Sequence, residues 1–256
     1  MTITRTHNPA SFIITGSPRS GLGTIYHALE QHPALQVICK DENPHFANDA
    51  LFGVGNPSNQ RYDQHYVDYG EDLLHGEISS AYLTHPYAIS RIHRYNPDIK
   101  LVIILRNPAM RTYSQWQYAT AQGLETASFT DILTTTAQSV EDMTAYQRKS
   151  LYGYHVSHIL QYLDPHQVLF LKSDDLKEDP EVAMYRLFQF IGVPYLDLDL
   201  TAQNIGSYAS SLTAETYNQM MEAYTSDVKT LESLVGLDCS SWKAKKAIDI
   251  QSKMNA

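Results

Sequence analysis

Cysteine is scarce in this chain. Cys39 and Cys239 are the two cysteines among 256 residues, and they stand far apart without a CxxC pair or the spacing of a metal site. We therefore expect two reduced, buried thiols in a reducing compartment, rather than a disulfide framework or a thiolate metal centre.

Long apolar runs are also missing. The longest purely apolar run is Leu101–Leu105, whereas a membrane-spanning helix needs about 20 apolar residues. The opening stretch MTITRTHNPA has no apolar segment of the kind found in a signal peptide. These two features predict a soluble, cytoplasmic protein with no membrane partner.

Positive charge is in short supply. The chain has 19 Lys and Arg against 28 Asp and Glu, a net charge of −9. Such a balance argues against a general surface for nucleic acid or sulfated glycan, so any anionic ligand must be held by a local pocket. With 43% hydrophobic and 18% charged residues, the chain can bury one sizeable core, and we expect a single domain over residues 1–256.

Strand and helix patterns alternate along the chain. Apolar runs predict strands at SFIIT, ALQVI, LLHGEI, KLVIIL and VLFLK. Helical periodicity with start and stop signals predicts helices after the first strand and over residues 86–95, 107–123, 140–163, 179–192 and 213–237. Residues 41–72 have little periodicity and are interpreted as a long functional loop with a short helix near His65–Tyr69. The alternation predicts an α/β protein with three layers, in which helices flank a central, mainly parallel sheet.

The stretch FIITGSPRSGLGTIYHALEQHP resembles a phosphate-binding loop between a strand and a helix. Gly16 and Gly21 have the spacing of a Walker A loop and permit tight turns, but Leu22 stands where that loop has its lysine. The cation here is Arg19, inside the loop. Backbone amides from Arg19 to Thr24 and the helix dipole can hold one oxyanion. A plain turn before a helix is the alternative. The predicted anion-binding residues are Arg19, Ser20, Gly21, Leu22, Gly23 and Thr24.

A second candidate anion site follows the strand KLVIIL. Arg106 stands at the carboxyl end of this strand, and Ser114 follows eight residues later in the next helix. An arginine and a serine placed in this way can converge on one phosphate. The alternative is an arginine paired with a carboxylate and an ordinary surface hydroxyl. Two anion sites at neighbouring strand ends predict a ligand with phosphates at both ends.

The segments GSPRSG, LRNPAMRTYSQW and DDLKEDPEVAMYRLFQFIGVP together resemble the cytosolic-type and heparan-sulfate-type sulfotransferases, in particular small-molecule enzymes of bacterial type. This resemblance spans about residues 11–242. It implies the donor 3′-phosphoadenosine 5′-phosphosulfate (PAPS), the product adenosine 3′,5′-bisphosphate (PAP) and no metal. It also implies that the first loop binds the 5′-phosphosulfate, that Arg106 and Ser114 bind the 3′-phosphate, and that Tyr152, with Gly153, packs against adenine. Ordinary core packing is the alternative for Tyr152, since the chain has 18 tyrosines.

Two positions of the first loop depart from the family pattern. Family loops usually carry hydroxyl residues where this chain has Leu22 and Gly23, and each lost hydrogen bond is worth about 0.5–1.5 kcal/mol. The family's catalytic cation is most often lysine, whereas Arg19 stands here. Arginine stabilises negative charge but does not donate a proton, so help to the leaving group must be electrostatic.

Two residues are candidates for the general base, Glu77 as the first choice and His45 as the second. The segment LLHGEISSAYL resembles a heparan-sulfate-type segment whose glutamate is taken as the base, and Glu77 occupies that position. A salt bridge to Arg19 or a capping role is the alternative for Glu77. The segment KDENPHFA resembles the acceptor-side loop, in which His45 matches the family histidine and Asn43 replaces a glutamate. The resemblance places four residues beside the acceptor: Lys40, Glu42, His45 and Phe46. The alternatives are a surface position for Lys40 and a structural or merely exposed histidine at position 45.

The acceptor is expected to be a small molecule. The segment from Lys40 to Glu77 is rich in acids and aromatics, which would repel a sulfated chain and attract a neutral or cationic compound. The alternative is that these acids form a solvated loop face that does not contact the substrate. We expect a hydroxyl or amine acceptor such as a guanidinium-type secondary metabolite, and a monomer or homodimer. The competing classes are a P-loop kinase or nucleotide-triphosphate-binding protein, which would need the missing lysine, and a non-catalytic sulfotransferase fold.

Overall fold

The computed structural model describes residues 9–39, 44–53, 55, 57, 62–66, 73–133, 143–200 and 212–243. In this part of the chain a five-stranded sheet has the order β2-β3-β1-β4-β5. The strands are β1 (Phe12–Gly16), β2 (Leu35–Cys39), β3 (Leu74–Ile78), β4 (Lys100–Leu105) and β5 (Val168–Lys172). The pairs β1–β3, β1–β4 and β2–β3 are parallel, which confirms the predicted fold class.

Burial follows each strand's place in the sheet. Every residue of the central strand β1 is buried, as is β4 beyond Lys100, as expected for strands covered on both faces. VLFLK was expected to form another buried strand, but β5 is only partly buried. Its position at the edge of the sheet explains the difference.

Helices over Ala88–Tyr95, Pro108–Ala121 and Pro180–Ile191 lie within the predicted ranges 86–95, 107–123 and 179–192. Asn107 caps the helix that begins at Pro108 by accepting a hydrogen bond from the amide of Met110 at 3.0 Å. The helices are α1 (Leu22–Leu29), α2 (Asp49–Phe52), α3 (Ala88–Tyr95), α4 (Pro108–Ala121), α5 (Ala145–Arg148), α6 (Tyr152–Ile159), α7 (Asp175–Glu178), α8 (Pro180–Ile191) and α9 (Ala214–Val235). Short 3₁₀ turns lie at His45–Ala47, Gln64–Tyr66, Pro165–Gln167 and Ser240–Trp242.

The single long helix expected over residues 140–163 is wrong. Residues 140–142 lie outside the described part, and the remainder forms two short helices, α5 and α6, with a break between them. At the break the carbonyl of Tyr146 accepts a hydrogen bond from the guanidinium of Arg111, and the amide of Ser150 bonds the carbonyl of Gln147. The amide of Ser150 thus bonds a carbonyl three residues back rather than four, and the α-helical pattern is interrupted at this point.

Contacts divide the chain into two compact units that interleave along the sequence. The sheet unit comprises the described parts of residues 1–16, 21–104 and 159–203. Its hydrophobic core joins β-strand residues to the apolar faces of α1 and α8. The helical unit comprises the described parts of residues 17–20, 105–158 and 204–256. Within it, Asn107 bonds the hydroxyl of Tyr217 at 2.8 Å and Thr112 bonds that of Tyr224 at 2.9 Å, which joins α4 to α9. The single domain over residues 1–256 stays a prediction.

The two thiols differ in exposure. Cys239 is buried, but Cys39 is exposed, so the expectation of two buried thiols is wrong for Cys39. It is the last residue of β2, which lies at an edge of the sheet. None of the helices in the described ranges combines the length and the apolar character needed to cross a membrane.

Candidate active site

The loop after β1 has an unusual backbone. Arg19 has φ 72° and Gly21 has φ 93°, both in the left-handed region. This conformation suits glycine but costs other residues about 1–2 kcal/mol. Gly16, which was expected to help the turn, is the last residue of β1. In the helical unit, the Ser20 hydroxyl donates a hydrogen bond to the carbonyl of Ser17 at 2.7 Å and so fixes the strained segment.

Leu22 and Gly23, the two residues at the start of α1 that depart from the family pattern, differ in their environments. Leu22 is buried in the core of the sheet unit, so its side chain cannot take the place of a ligand-binding hydroxyl. Gly23 is exposed, and a Cβ built there has no neighbouring atom within 4 Å. Gly21 occupies the N-cap of α1 and brings no side chain to cap it. The first turn of a helix presents amides without intrahelical partners, which suits an anion.

The helical unit brings three of the predicted site residues together. The guanidinium of Arg106 donates a hydrogen bond to the carbonyl of Arg19 at 2.9 Å. Nε of Arg19 lies 3.4 Å from the hydroxyl oxygen of Ser114, and its guanidinium lies 4.9 Å from the ring centre of Tyr118. Both arginines are partly exposed. Within the described ranges neither forms an ion pair with a carboxylate. Arg19 therefore links Arg106, through its carbonyl, to Ser114, through its side chain.

Tyr152 holds this cluster together. Its side chain is fully buried, its hydroxyl donates a hydrogen bond to the carbonyl of Arg106 at 2.8 Å, and the same oxygen lies 3.1 Å from Ser17 Oγ. Burial raises the pKa of Tyr152 to about 12, which keeps the hydroxyl protonated as a donor. Because no face of its ring is exposed, the structure does not support Tyr152 as an adenine contact. Its hydroxyl contacts position the loop after β1 instead. A Cβ at Gly153 would lie 2.4 Å from the carbonyl of Asp227, so this glycine permits the close approach of α9.

Glu77 lies in a cage of tyrosines within the sheet unit. Its side chain is fully buried, and its two carboxylate oxygens accept hydrogen bonds from the hydroxyls of Tyr62 and Tyr82, the latter at 2.5 Å. Burial and, to a smaller extent, the charge of Glu77 raise the pKa of both phenols. The hydroxyl of Tyr62 lies 3.2 Å from that of Tyr66, which donates to the carbonyl of Gly76 at 3.3 Å. The cage therefore ties residues 62–66 to β3.

His45 lies at the outer side of this cage. Its ring is partly exposed and its centre lies 4.9 Å from that of Tyr62. The next residue, Phe46, is buried, and its amide donates to the hydroxyl of Tyr82 at 3.4 Å. Tyr82 thus links the carboxylate of Glu77 to the backbone amide of Phe46, the residue next to His45. The predicted acceptor residues Lys40 and Glu42 lie outside the described residues.

Two acids expected to face the acceptor are engaged elsewhere. Asp49 forms an ion pair with Arg91 at 2.6 Å, which lowers the pKa of its carboxyl. Asp63 is buried and accepts a hydrogen bond from the hydroxyl of Tyr95 at 2.7 Å. Neither contributes a free carboxylate to an acceptor surface.

Sequence reasoning missed the partners of the functional residues. The sequence analysis did not predict that Tyr62 and Tyr82 bind Glu77. Tyr82 follows Glu77 by five residues, and this closeness in sequence was a signal for the contact. Arg111, fully buried on α4, was also missed. Its signal was a second arginine five residues after Arg106, at the start of a helix with few other charges.

Comparison with known proteins gives one consistent answer. A family described as "Sulfotransferase domain" matches residues 9–245. The bifunctional heparan sulfate N-deacetylase/N-sulfotransferase 2 of Bos taurus is 27% identical over 205 residues, covering 74% of this chain and 23% of that protein. The human heparan sulfate glucosamine 3-O-sulfotransferase 6 is 26% identical over 187 residues, covering 71% of this chain and 52% of that protein. This chain thus spans about a quarter and about half of these relatives.

A solved structure supports the same fold. The sulfotransferase from Alicyclobacillus acidocaldarius aligns with a TM-score of 0.76 at 22% identity, covering 93% of this chain and 99% of that one. At this identity the likeness establishes the architecture of the fold. Together with the family match over nearly the whole chain, it shows that the protein belongs to the sulfotransferase domain family, a family of transferases.

Proposed function

We propose that this protein transfers a sulfonate group from PAPS to a hydroxyl or amine of a small-molecule acceptor and releases PAP. The observation that carries the proposal is that Arg19 contacts both Arg106 and Ser114, while neither arginine forms an ion pair in the described ranges. Two guanidinium groups and a hydroxyl match the charge and acceptor geometry of a phosphate.

The family resemblance supports an assignment of residues to the two anionic ends of PAPS. Arg106 and Ser114 are assigned to the 3′-phosphate, and the amides at the start of α1, with Arg19, to the 5′-phosphosulfate. A nucleotide-triphosphate function has less support, because Leu22, at the position of the Walker lysine, is packed in the core. In the described ranges no group of three or more His, Cys, Asp or Glu is arranged to hold a metal ion; independence from metal stays a prediction.

The proposed reaction is an in-line displacement at sulfur. The acceptor oxygen or nitrogen forms a bond to sulfur while the bond between sulfur and the bridging phosphate oxygen breaks. The electron pair of that bond stays on the phosphate, where Arg19 stabilises the new charge. The proton of the acceptor passes to a general base.

His45 is better placed than Glu77 to be that base. Its ring is partly exposed and can meet an acceptor, and a neutral imidazole accepts a proton near neutral pH. Glu77 is fully buried and both of its oxygens already accept phenolic hydrogen bonds. We therefore assign proton removal to His45 and assign Glu77 to holding the segment that carries it.

The proposed acceptor is a small neutral or cationic compound. The net charge of −9 disfavours a polyanionic chain such as the heparan sulfate named for the curated relatives. With Asp49 and Asp63 engaged internally, this preference rests on the overall charge and on the acids of residues 41–72 that lie outside the described part.

An acceptor panel with labelled donor tests the proposal. PAPS carrying labelled sulfonate is offered with small alcohols, amines and guanidinium compounds, and separately with heparan-type chains. We expect label on small acceptors, loss of transfer in Arg106→Ala, and normal transfer in the exposed control Arg148→Gln. Preferential labelling of heparan-type chains would overturn the acceptor assignment, and no transfer to any class would count against sulfonate transfer.

A further inference from the structure

Arg111 is a fully buried arginine whose hydrogen-bond partners within the described ranges are all neutral. It lies on α4, and its guanidinium donates hydrogen bonds to side-chain oxygens of Ser150, Gln115 and Thr112 and to the carbonyl of Tyr146. Within the described ranges no carboxylate forms an ion pair with it. A buried charge is costly to a folded protein unless an opposite charge compensates it. The neutral acceptors satisfy its hydrogen bonds but leave its charge unbalanced.

Two further cations in the helical unit, Lys149 and Arg106, interact electrostatically with Arg111. Burial, together with the charge of Arg111, lowers the pKa of Lys149. Burial lowers the pKa of Arg111 as well; Tyr152 and Tyr224 oppose this effect, and the charge of Arg106 adds to it. An arginine nevertheless stays protonated in proteins. The region therefore concentrates positive charge in a chain whose overall charge is −9.

The position of Arg111 relates it to the proposed phosphate site. It stands three residues before Ser114 on α4, a spacing that places both on one side of a helix. Ser150, which binds its guanidinium, also lies 3.0 Å from the hydroxyl of Thr112 and donates to the carbonyl of Pro108 at 3.1 Å. These contacts fix the first turns of α4, on which Ser114 depends for its position.

We propose that Arg111 is a positioning residue of the 3′-phosphate site that also supplies charge to it: it locks α4 against residues 146–150, and its uncompensated charge favours a ligand with a 3′-phosphate. This inference rests on the proposed function, which assigns Arg106 and Ser114 to that phosphate. A 3′-phosphate carries up to two negative charges, whereas the 3′-hydroxyl of adenosine 5′-phosphate carries none. The charge of Arg111 therefore contributes to discrimination between the two ligands.

The test compares PAP with adenosine 5′-phosphate by calorimetric titration at low and high salt. Arg111→Met removes the charge but keeps an unbranched side chain, Arg111→Lys keeps the charge but loses the fork of donors, and Arg148→Gln is a control that removes an exposed charge of the same segment. We expect Arg111→Met to weaken the binding of PAP about tenfold and the binding of adenosine 5′-phosphate less than threefold. We also expect this variant to reduce the salt dependence of PAP binding. We expect Arg111→Lys to keep most of the wild-type preference and Arg148→Gln to keep all of it.

Other outcomes separate this inference from the proposed function. Equal weakening of both ligands in Arg111→Met would reduce Arg111 to a structural role, and loss of the preference in Arg111→Lys would contradict the role of its charge. If Arg111→Met does not fold, Arg111→Gln is measured in its place, and a wild-type preference in that neutral variant overturns the inference. If the wild-type protein itself shows no preference for PAP, the proposed function fails instead.

Discussion

Replacing Glu77 by glutamine tests whether this residue positions the site or performs the chemistry. In the structure both carboxylate oxygens accept hydrogen bonds from buried tyrosine hydroxyls. Glutamine retains one acceptor oxygen and turns an NH₂ group towards the other phenol. Each bond to a charged group is worth about 1.5–3 kcal/mol, and a mispaired buried donor costs about 1–3 kcal/mol. Removal of a buried charge offsets part of this, so we expect a loss of about 2–4 kcal/mol in the free energy of unfolding.

Two measurements read out this variant. In a domain of this size the expected loss lowers Tm by roughly 5–15 °C, which calorimetry detects. Turnover is then followed against pH at a temperature where the variant is folded. Because His45 is assigned as the base, we expect the acidic limb of the pH profile to persist and turnover to fall about tenfold or less.

Tyr62→Phe and Tyr82→Phe are the matched controls, since each removes a single hydroxyl from the cage. Each should lower stability by about 1–3 kcal/mol and leave the same acidic limb. The reasoning is refuted if Glu77→Gln keeps its stability, loses about a thousandfold in turnover and loses the acidic limb. That outcome would make Glu77 the base.

The remaining predictions concern the anion-binding residues. Gly23→Ser should tighten PAP binding by up to about tenfold, as expected for one hydrogen bond of about 0.5–1.5 kcal/mol, whereas Gly23→Ala should not; equal titration results for the two variants would contradict a hydroxyl contact. Arg106→Ala and Ser114→Ala should weaken the binding of PAP but hardly affect the binding of adenosine 5′-phosphate. Similar losses of affinity for both ligands would contradict the assignment of this pair to the 3′-phosphate. Arg19→Ala should lower turnover by about 10²–10³-fold and cofactor affinity much less, as measured by steady-state rates and titration; matching losses would indicate a role in binding alone.

The fold was predictable where local signals agree with tertiary packing. The apolar run KLVIIL became the buried strand β4, and the Asn107-Pro108 start signal became the first turn of α4. The helix expected over residues 140–163 is interrupted where Arg111, distant in sequence, binds the carbonyl of Tyr146. Periodicity alone contains no information about such a long-range bond.

The candidate site was predictable as a set of residues but not as a set of contacts. Strand-end placement and the family resemblance indicated Arg19, Arg106 and Ser114, which the structure brings together. These sequence signals could not show that Glu77 is enclosed by tyrosines or that Tyr152 is fully buried. Burial depends on segments distant in sequence, and it changes the chemistry that each side chain can perform.

Calorimetric titration of the wild-type protein with PAP and with ATP–magnesium tests the central claim most directly. Arg19 beside Ser114, Arg106 bonded to the carbonyl of Arg19, and the absence of a Walker lysine at Leu22 predict tight binding of PAP without magnesium and weak or undetectable binding of ATP–magnesium. Tight, magnesium-dependent binding of ATP with no measurable binding of PAP would contradict the account.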